Sequence, residues 1–188
     1  MVQLASDTSV ADRLRQVRSA HSSWITTAAR LVLGGVLIVA GALKIGAPAL
    51  SVQAVRAYQL LPEPVVTVVG YGLPVAEIII GLLLVIGFFT RIAAVAAGLL
   101  MLAFVIGIAS AWARGLRIDC GCFGGGGELA PGEDPGYLWE LLRDFGLVLC
   151  AAWIAIKPPG RFAMDSALGL TPPPDREDER SGDGDGAA

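Results

Sequence analysis

Between Trp24 and Ala113 the chain carries only six ionisable acids and bases: Arg30, Lys44, Arg56, Glu63, Glu77 and Arg91. A soluble domain carries about a quarter charged residues throughout. Here the remaining charges crowd into the two ends and one loop. A stretch so poor in charge cannot coat a water-facing surface, so the sequence reads as an integral membrane protein. The formal net charge is -3 with no basic patch, which excludes a nucleic-acid binder. At 188 residues there is room for one small helical bundle.

The expected fold is all-α, a polytopic bundle of four transmembrane helices. Residues 1–23 form a polar N-terminal segment. Residues 24–43 are broken only by Arg30 and span about 30 Å as a helix, one hydrocarbon core. The competing reading is a signal peptide cleaved near Ala40-Gly41-Ala42. A signal core is usually about 7–15 residues, and here more spans follow, so a retained helix is expected. Within the connection 44–64, Leu50, Ala54, Ala57 and Leu61 share a helical face. Pro48 suits a helix start, and Leu61-Pro62-Glu63-Pro64 stops it. This predicts a short interfacial helix between spans one and two, with a plain linker as the alternative. Spans two and three are expected at 65–89 and 92–113. A turn at Thr90-Arg91, with Thr90 as cap, makes them an antiparallel hairpin. Residues 114–136 form a polar, Gly-rich loop. The fourth span is expected at 137–156, although Glu140, Arg143 and Asp144 lie in its first turns. Residues 157–188 are expected to be a disordered, acidic cytoplasmic tail.

The positive-inside rule compares Arg13, Arg15, Arg18, Arg30, Arg91, Lys157 and Arg161 with Lys44, Arg56, Arg114 and Arg117. The bias puts both termini in the cytoplasm and the loop outside. Trp24, Trp112, Trp139 and Trp153 fall near helix ends, as an aromatic belt places them.

Cys120-Gly121-Cys122 is the sharpest chemical signal. Two thiols one residue apart close a disulfide only in a small, strained ring, and the intervening Gly lets the backbone bend. Such a bond is labile and exchange-active. Soft-metal binding is the alternative, but no Met or His lies near and no zinc ligand set is present, so no metal is expected. Cys150, inside the fourth span, reads as an inert apolar residue, with participation in the redox pair as the minor reading. Glu77 is a carboxyl midway along the second span, where ionisable groups are expensive and face an internal site. Pro74 precedes it, and Tyr71 lies six residues earlier. Glu77 is either a proton relay or quinone partner, or a structural ion pair with Lys44 or Arg143. Arg143 and Asp144 are candidates to face the bundle interior, with interfacial snorkelling the alternative for Arg143. Gly34, Gly35, Gly41, Gly81 and Gly87 read as helix-packing positions. Gly124 to Gly127 lack a phosphate-loop context and read as a hinge.

Gly35 to Lys44, Leu73-Pro74-Val75-Ala76-Glu77, Gly81, Gly87-Phe88-Phe89-Thr90-Arg91, Asp119-Cys120-Gly121-Cys122-Phe123-Gly124 and Leu142-Arg143-Asp144 together resemble the MauE branch of the DoxX-like, redox-associated membrane proteins. The resemblance covers roughly residues 30–156. The family is implicated in methylamine utilisation, in assembling a dehydrogenase whose small subunit is rich in disulfides. Actinobacterial relatives look like partners of extracytoplasmic thioredoxin-like proteins. The resemblance implies a plan similar to the quinone-linked disulfide-forming proteins, from which this chain departs in lacking a CxxC pair.

The expectation is a plasma-membrane thiol–disulfide redox protein, a candidate oxidoreductase. Cys120 and Cys122 carry the chemistry, supported by Glu77, Arg143, Asp144, Lys44 and Tyr71. The partner is an extracytoplasmic thioredoxin-like or disulfide-containing protein, and a lipid quinone is the candidate cofactor. The rival is a non-enzymatic assembly or scaffold subunit that docks a soluble redox protein. Transport is a weaker third, since four short spans show no inverted repeat.

Overall fold

The computed structural model describes residues 2–123, 125–130, 132–157 and 163–169, with side chains from residue 22 onward except at 166 and 167. Four long helices form one bundle: α1 (Val2–Gly46), α3 (Glu63–Ile86), α4 (Thr90–Ala113) and α5 (Tyr137–Ile156). A short α2 (Pro48–Ala57) links α1 to α3. A two-residue ladder, β1 (Ile118–Asp119) with β2 (Gly127–Glu128), closes the loop after α4. A single turn, α6 (Met164–Ala167), follows α5.

Three stretches are long and apolar enough to cross a membrane: Ser22–Gly46 within α1, α3 and α4. The protein is therefore membrane-embedded. The first of these spans begins inside a helix that already runs from Val2, so the polar segment 1–23 is continuous with it. The fourth expected stretch, 137–156, is a helix with matching ends, but its charges keep it outside that apolar group. It packs along α4 and against α1. The common core joins Leu33 and Leu37 of α1, Leu84 of α3, Ala97 and Met101 of α4, and Leu147 and Ile154 of α5.

Glycine brings α1 and α3 together. A Cβ on Gly34 would lie 2.8 Å from the Gly81 carbonyl oxygen, and one on Gly81 2.8 Å from that of Gly34. Such mutual approach is how small residues pack membrane helices. In α2, Pro48 opens the helix as expected. The Ser51 hydroxyl donates to the Gly70 carbonyl at 2.7 Å and ties α2 to the start of α3.

The α3–α4 turn departs from expectation. Gly87 (φ 75) and Phe89 (φ 47) are left-handed, and Phe89, not Thr90, is the residue before α4. The Thr90 hydroxyl makes no cap and is buried without a partner among the described residues. The cap comes from far along the chain: Asp165 accepts the N–H groups of Phe89 and Thr90, each at 2.8 Å. It also donates its own N–H to the Gly87 carbonyl at 3.0 Å. A carboxylate at a helix start is favoured because the first amides have no helical partner. Residues 163–169 thus dock against this turn and do not belong to a disordered tail. The expected tail from Thr171 lies outside the described residues. Arg30, buried at 1% exposure, donates to the Leu84 carbonyl at 2.9 Å and to that of Val85 at 3.3 Å. It caps the last carbonyls of α3.

Candidate functional site

The loop after α4 folds down onto the end of the bundle that α2 occupies. Two features hold it. Tyr137 donates its hydroxyl to the Leu116 carbonyl at 2.7 Å and accepts the Ile118 N–H at 3.0 Å. Ala54 of α2 packs so closely that a Cβ on Gly121 or Gly126 would lie 2.5 Å from its own Cβ. A Cβ on Gly125 would meet the Asp119 carboxylate and one on Gly127 the Gln53 amide, so Gly125 to Gly127 are close-approach positions in place of the expected hinge. Gly124 lies outside the described residues. Gly121 has φ 70, the left-handed bend expected between the two cysteines.

Cys120 and Cys122 are free thiols, each 6% exposed. The Cys122 N–H donates to Cys120 Sγ at 3.3 Å. Tyr58, at the end of α2, donates its hydroxyl to the Cys120 carbonyl at 3.1 Å. Burial pushes the Tyr58 phenol up, so it remains a donor. The Cys122 thiol donates to Asp144 Oδ2 at 4.0 Å, a long sulfur contact. The other Asp144 oxygen accepts Arg143 Nε at 2.8 Å. Glu140 lies one helical turn before Asp144 on the same face of α5, close enough to the Cys120 thiol to help raise it. Two carboxyls from one stripe of α5 thus stand beside the cysteine pair. Interaction with the Cys122 thiol, then burial, pushes the Cys120 thiol well above its ordinary range, against the opposing pull of the Cys122 N–H. At neutral pH it is a protonated thiol and a poor nucleophile.

Deeper in the bundle, Lys44 Nζ and Glu77 Oε1 form an ion pair at 2.5 Å, with side chains 3% and 1% exposed. The Lys44 ammonium also lies 5.2 Å from the centre of the Phe104 ring. Glu77, Phe104, Cys122, Phe123, Arg143 and Asp144 line one cavity of about 10 Å³. The Arg143 guanidinium lies 4.8 Å from the centre of the Phe123 ring.

The structure brings Cys120, Cys122, Glu77, Lys44, Arg143 and Asp144 into one region. It does not bring Tyr71 there: that side chain is 54% exposed on the outer face of α3. Of the two readings for Glu77, the ion pair forms with Lys44, while Arg143 pairs with Asp144. Cys150 lies six residues beyond Asp144, about 9 Å further along the helix, half-buried and free. Sequence spacing names Glu140 only as a pairing partner, although its place four residues before Asp144 puts both on one helix face. Tyr58 carries no local signal, because its contact spans 62 residues.

No curated protein and no solved structure matches this chain. A model of the family described as methylamine utilisation protein MauE matches residues 22–157. That stretch takes in the three apolar spans, α5 and the whole cysteine loop. The chain therefore belongs to the MauE family of membrane proteins.

Proposed function

We propose that this chain is a membrane thiol–disulfide redox protein of a methylamine-utilisation system, exchanging electrons with an extracytoplasmic thioredoxin-like protein through Cys120 and Cys122. The observation that carries the reading is a buried thiol pair set against carboxyls of α5: the Cys122 thiol donates to Asp144 at 4.0 Å, and Glu140 lies one turn earlier on the same helix face. A structural pair of cysteines needs no proton acceptors, whereas exchange does, because the thiolate is the nucleophile.

The exchange balances without a further reagent. Cys122 gives its proton to Asp144, and the thiolate attacks one sulfur of the partner's disulfide. A mixed disulfide forms and a partner thiolate leaves. Cys120 gives its proton to Glu140 and attacks the Cys122 sulfur. The second partner thiolate leaves, and an internal Cys120–Cys122 disulfide remains. Two electrons reach the partner, and the two protons follow them onto its thiolates. Run backwards, the same steps oxidise the partner. Cys122 attacks first in this scheme because its thiol contacts Asp144, the carboxyl that takes the proton. A cavity of about 10 Å³ beside Glu77 holds a water but not a quinone ring, so no step is routed through a quinone there.

In this reading α5 is the fourth span. Its charges turn inward, with Asp144 2% exposed, while Leu138, Leu142, Phe145, Leu149 and Ile156 are 55–74% exposed on its outer face. A helix with that division presents an apolar surface to lipid. The cysteine loop then lies outside the plasma membrane and both termini lie in the cytoplasm.

The test is thiol trapping on intact cells with a membrane-impermeant maleimide, in a Cys150→Ser background. Two labels that appear only after mild reduction are expected, and they are lost in Cys120→Ser/Cys122→Ser. Labelling that needs cell lysis overturns the topology. If the double Ser variant leaves the partner's oxidation state unchanged and still copurifies with it, the protein is the scaffold and not the exchanger.

A further inference from the structure

The exchange scheme leaves the buried Lys44–Glu77 pair without a task. Glu77 gives one oxygen to Lys44, and its Oε2 is buried with no hydrogen-bond partner among the described residues. Arg143 Nη2 is in the same state. Leaving a buried charged group half-satisfied is costly. Both side chains line the small cavity whose wall also includes Cys122 and Asp144. Its volume of about 10 Å³ is close to that of one water. A water there would find three polar neighbours, Glu77, Arg143 and Asp144, within the two to four that a buried water needs.

The charges around this cavity come from three helices and the loop. Lys44 reaches it from α1 through its ion pair, Glu77 from α3, Arg143 and Asp144 from α5, and Cys122 from the loop. The lining residues of α4, Met101 and Phe104, are uncharged. Two cations and two carboxylates cancel while Cys122 is a thiol. Losing the thiol proton to bulk water would leave a net charge in a buried site, which is expensive. Moving that proton within the cluster leaves the sum at zero.

We propose that the Lys44–Glu77 pair is the proton store for Cys122: a single water in the cavity carries the thiol proton from Asp144 to Glu77 as the sulfur attacks, and carries it back when the thiol reforms. The S–H bond breaks, its electron pair stays on sulfur, and an O–H bond forms on Glu77. No electron leaves the cluster in this step. Once the sulfur is spent in a disulfide, the cluster carries one excess positive charge and releases the proton to the leaving partner thiolate; when the disulfide is reduced, Glu77 takes up a proton again and the water returns it to Cys122. This role rests on the exchange reading above.

The test uses the full chain in lipid nanodiscs, in a reduced Cys150→Ser background. Its reaction with the small aromatic disulfide 5,5′-dithiobis(2-nitrobenzoate) is followed by stopped flow in H2O and D2O. The background protein is expected to react more slowly in D2O. Glu77→Gln is expected to slow the reaction about tenfold or more and to lose the D2O effect. Glu77→Asp, which keeps the carboxyl, recovers both. Because Glu77→Gln alone strands Lys44, the neutral pair Lys44→Met/Glu77→Gln is measured beside it and is expected to be equally slow. The proposal is overturned if either neutral variant reacts within about twofold of the background. It is also overturned if the D2O effect survives in them, or if Glu77→Asp stays slow. Cys122→Ser separates the two readings. If it leaves the fast reaction intact, the cysteine pair itself is not the exchanger; if it abolishes that reaction while Glu77→Gln does not, only the store fails.

Discussion

At the scale of single residues, Cys120 is held in its protonated form: interaction with the Cys122 thiol is the largest effect and burial the second. A group held protonated in the folded state keeps its proton past the pH at which an ordinary thiol loses it. Folding stability from this site is therefore present at neutral pH, and it is lost as pH rises above the ordinary thiol range. The expected outcome is that bimane labelling of Cys120, in a Cys150→Ser protein, still climbs at pH values where a free thiol has levelled off. A plateau at the free-thiol position contradicts this. The cysteine pair and Asp144 are legible in the sequence because a Gly between two cysteines and a carboxyl inside an apolar helix each break a local pattern. Tyr71 falls elsewhere for a geometric reason: six residues along a helix turn its side chain about 120° away from that of Glu77.

At the scale of elements, the ends of helices decide more than their middles. The apolar runs show where α3 and α4 lie to within three residues, because hydropathy marks helix middles. The join between them is not legible, since its cap belongs to a residue 75 positions away from Thr90. Asp165→Ala removes the acceptor for two amides at once. A lost helix cap costs about 0.5–2 kcal/mol. We expect Asp165→Ala to lower thermal stability in detergent, measured by the loss of helical circular dichroism, and Asp165→Asn to fall between it and wild type. The loop glycines misread as a hinge teach the same lesson, because the tight contact of Ala54 with Gly121 and Gly126 appears only once α2 is in place.

At the scale of the whole molecule, the bundle has two differently built ends. One end gathers α2, the cysteine loop and the start of α5; the other gathers Arg30, the α3–α4 turn and α6. If α5 crosses the membrane, its outer face must tolerate lipid along its full length. Leu149→Arg, near the middle of that face, is expected to cost about 2.5–3.5 kcal/mol of insertion free energy. Leu138→Arg, at the end of the helix, is expected to cost far less, because a long basic side chain there reaches the interface. The amount of each variant in carbonate-washed membranes checks this, and equal yields would place α5 outside the bilayer. Fold class and span order are legible because burial in lipid writes itself into composition. The inward turn of Glu140, Arg143 and Asp144 is legible only in part, because a charged helix start fits an exposed helix equally well.

The docking of residues 163–169 also orders events in time. The amides of Phe89 and Thr90 emerge from the ribosome long before Asp165 does. Until residues 163–169 arrive, the hairpin of α3 and α4 is threaded but unsealed, and Arg30 waits beside it with carbonyls to hold but no carboxylate nearby. A stretch made late thus acts as a latch on a turn made early, and a chain interrupted before Ala163 would leave that turn open.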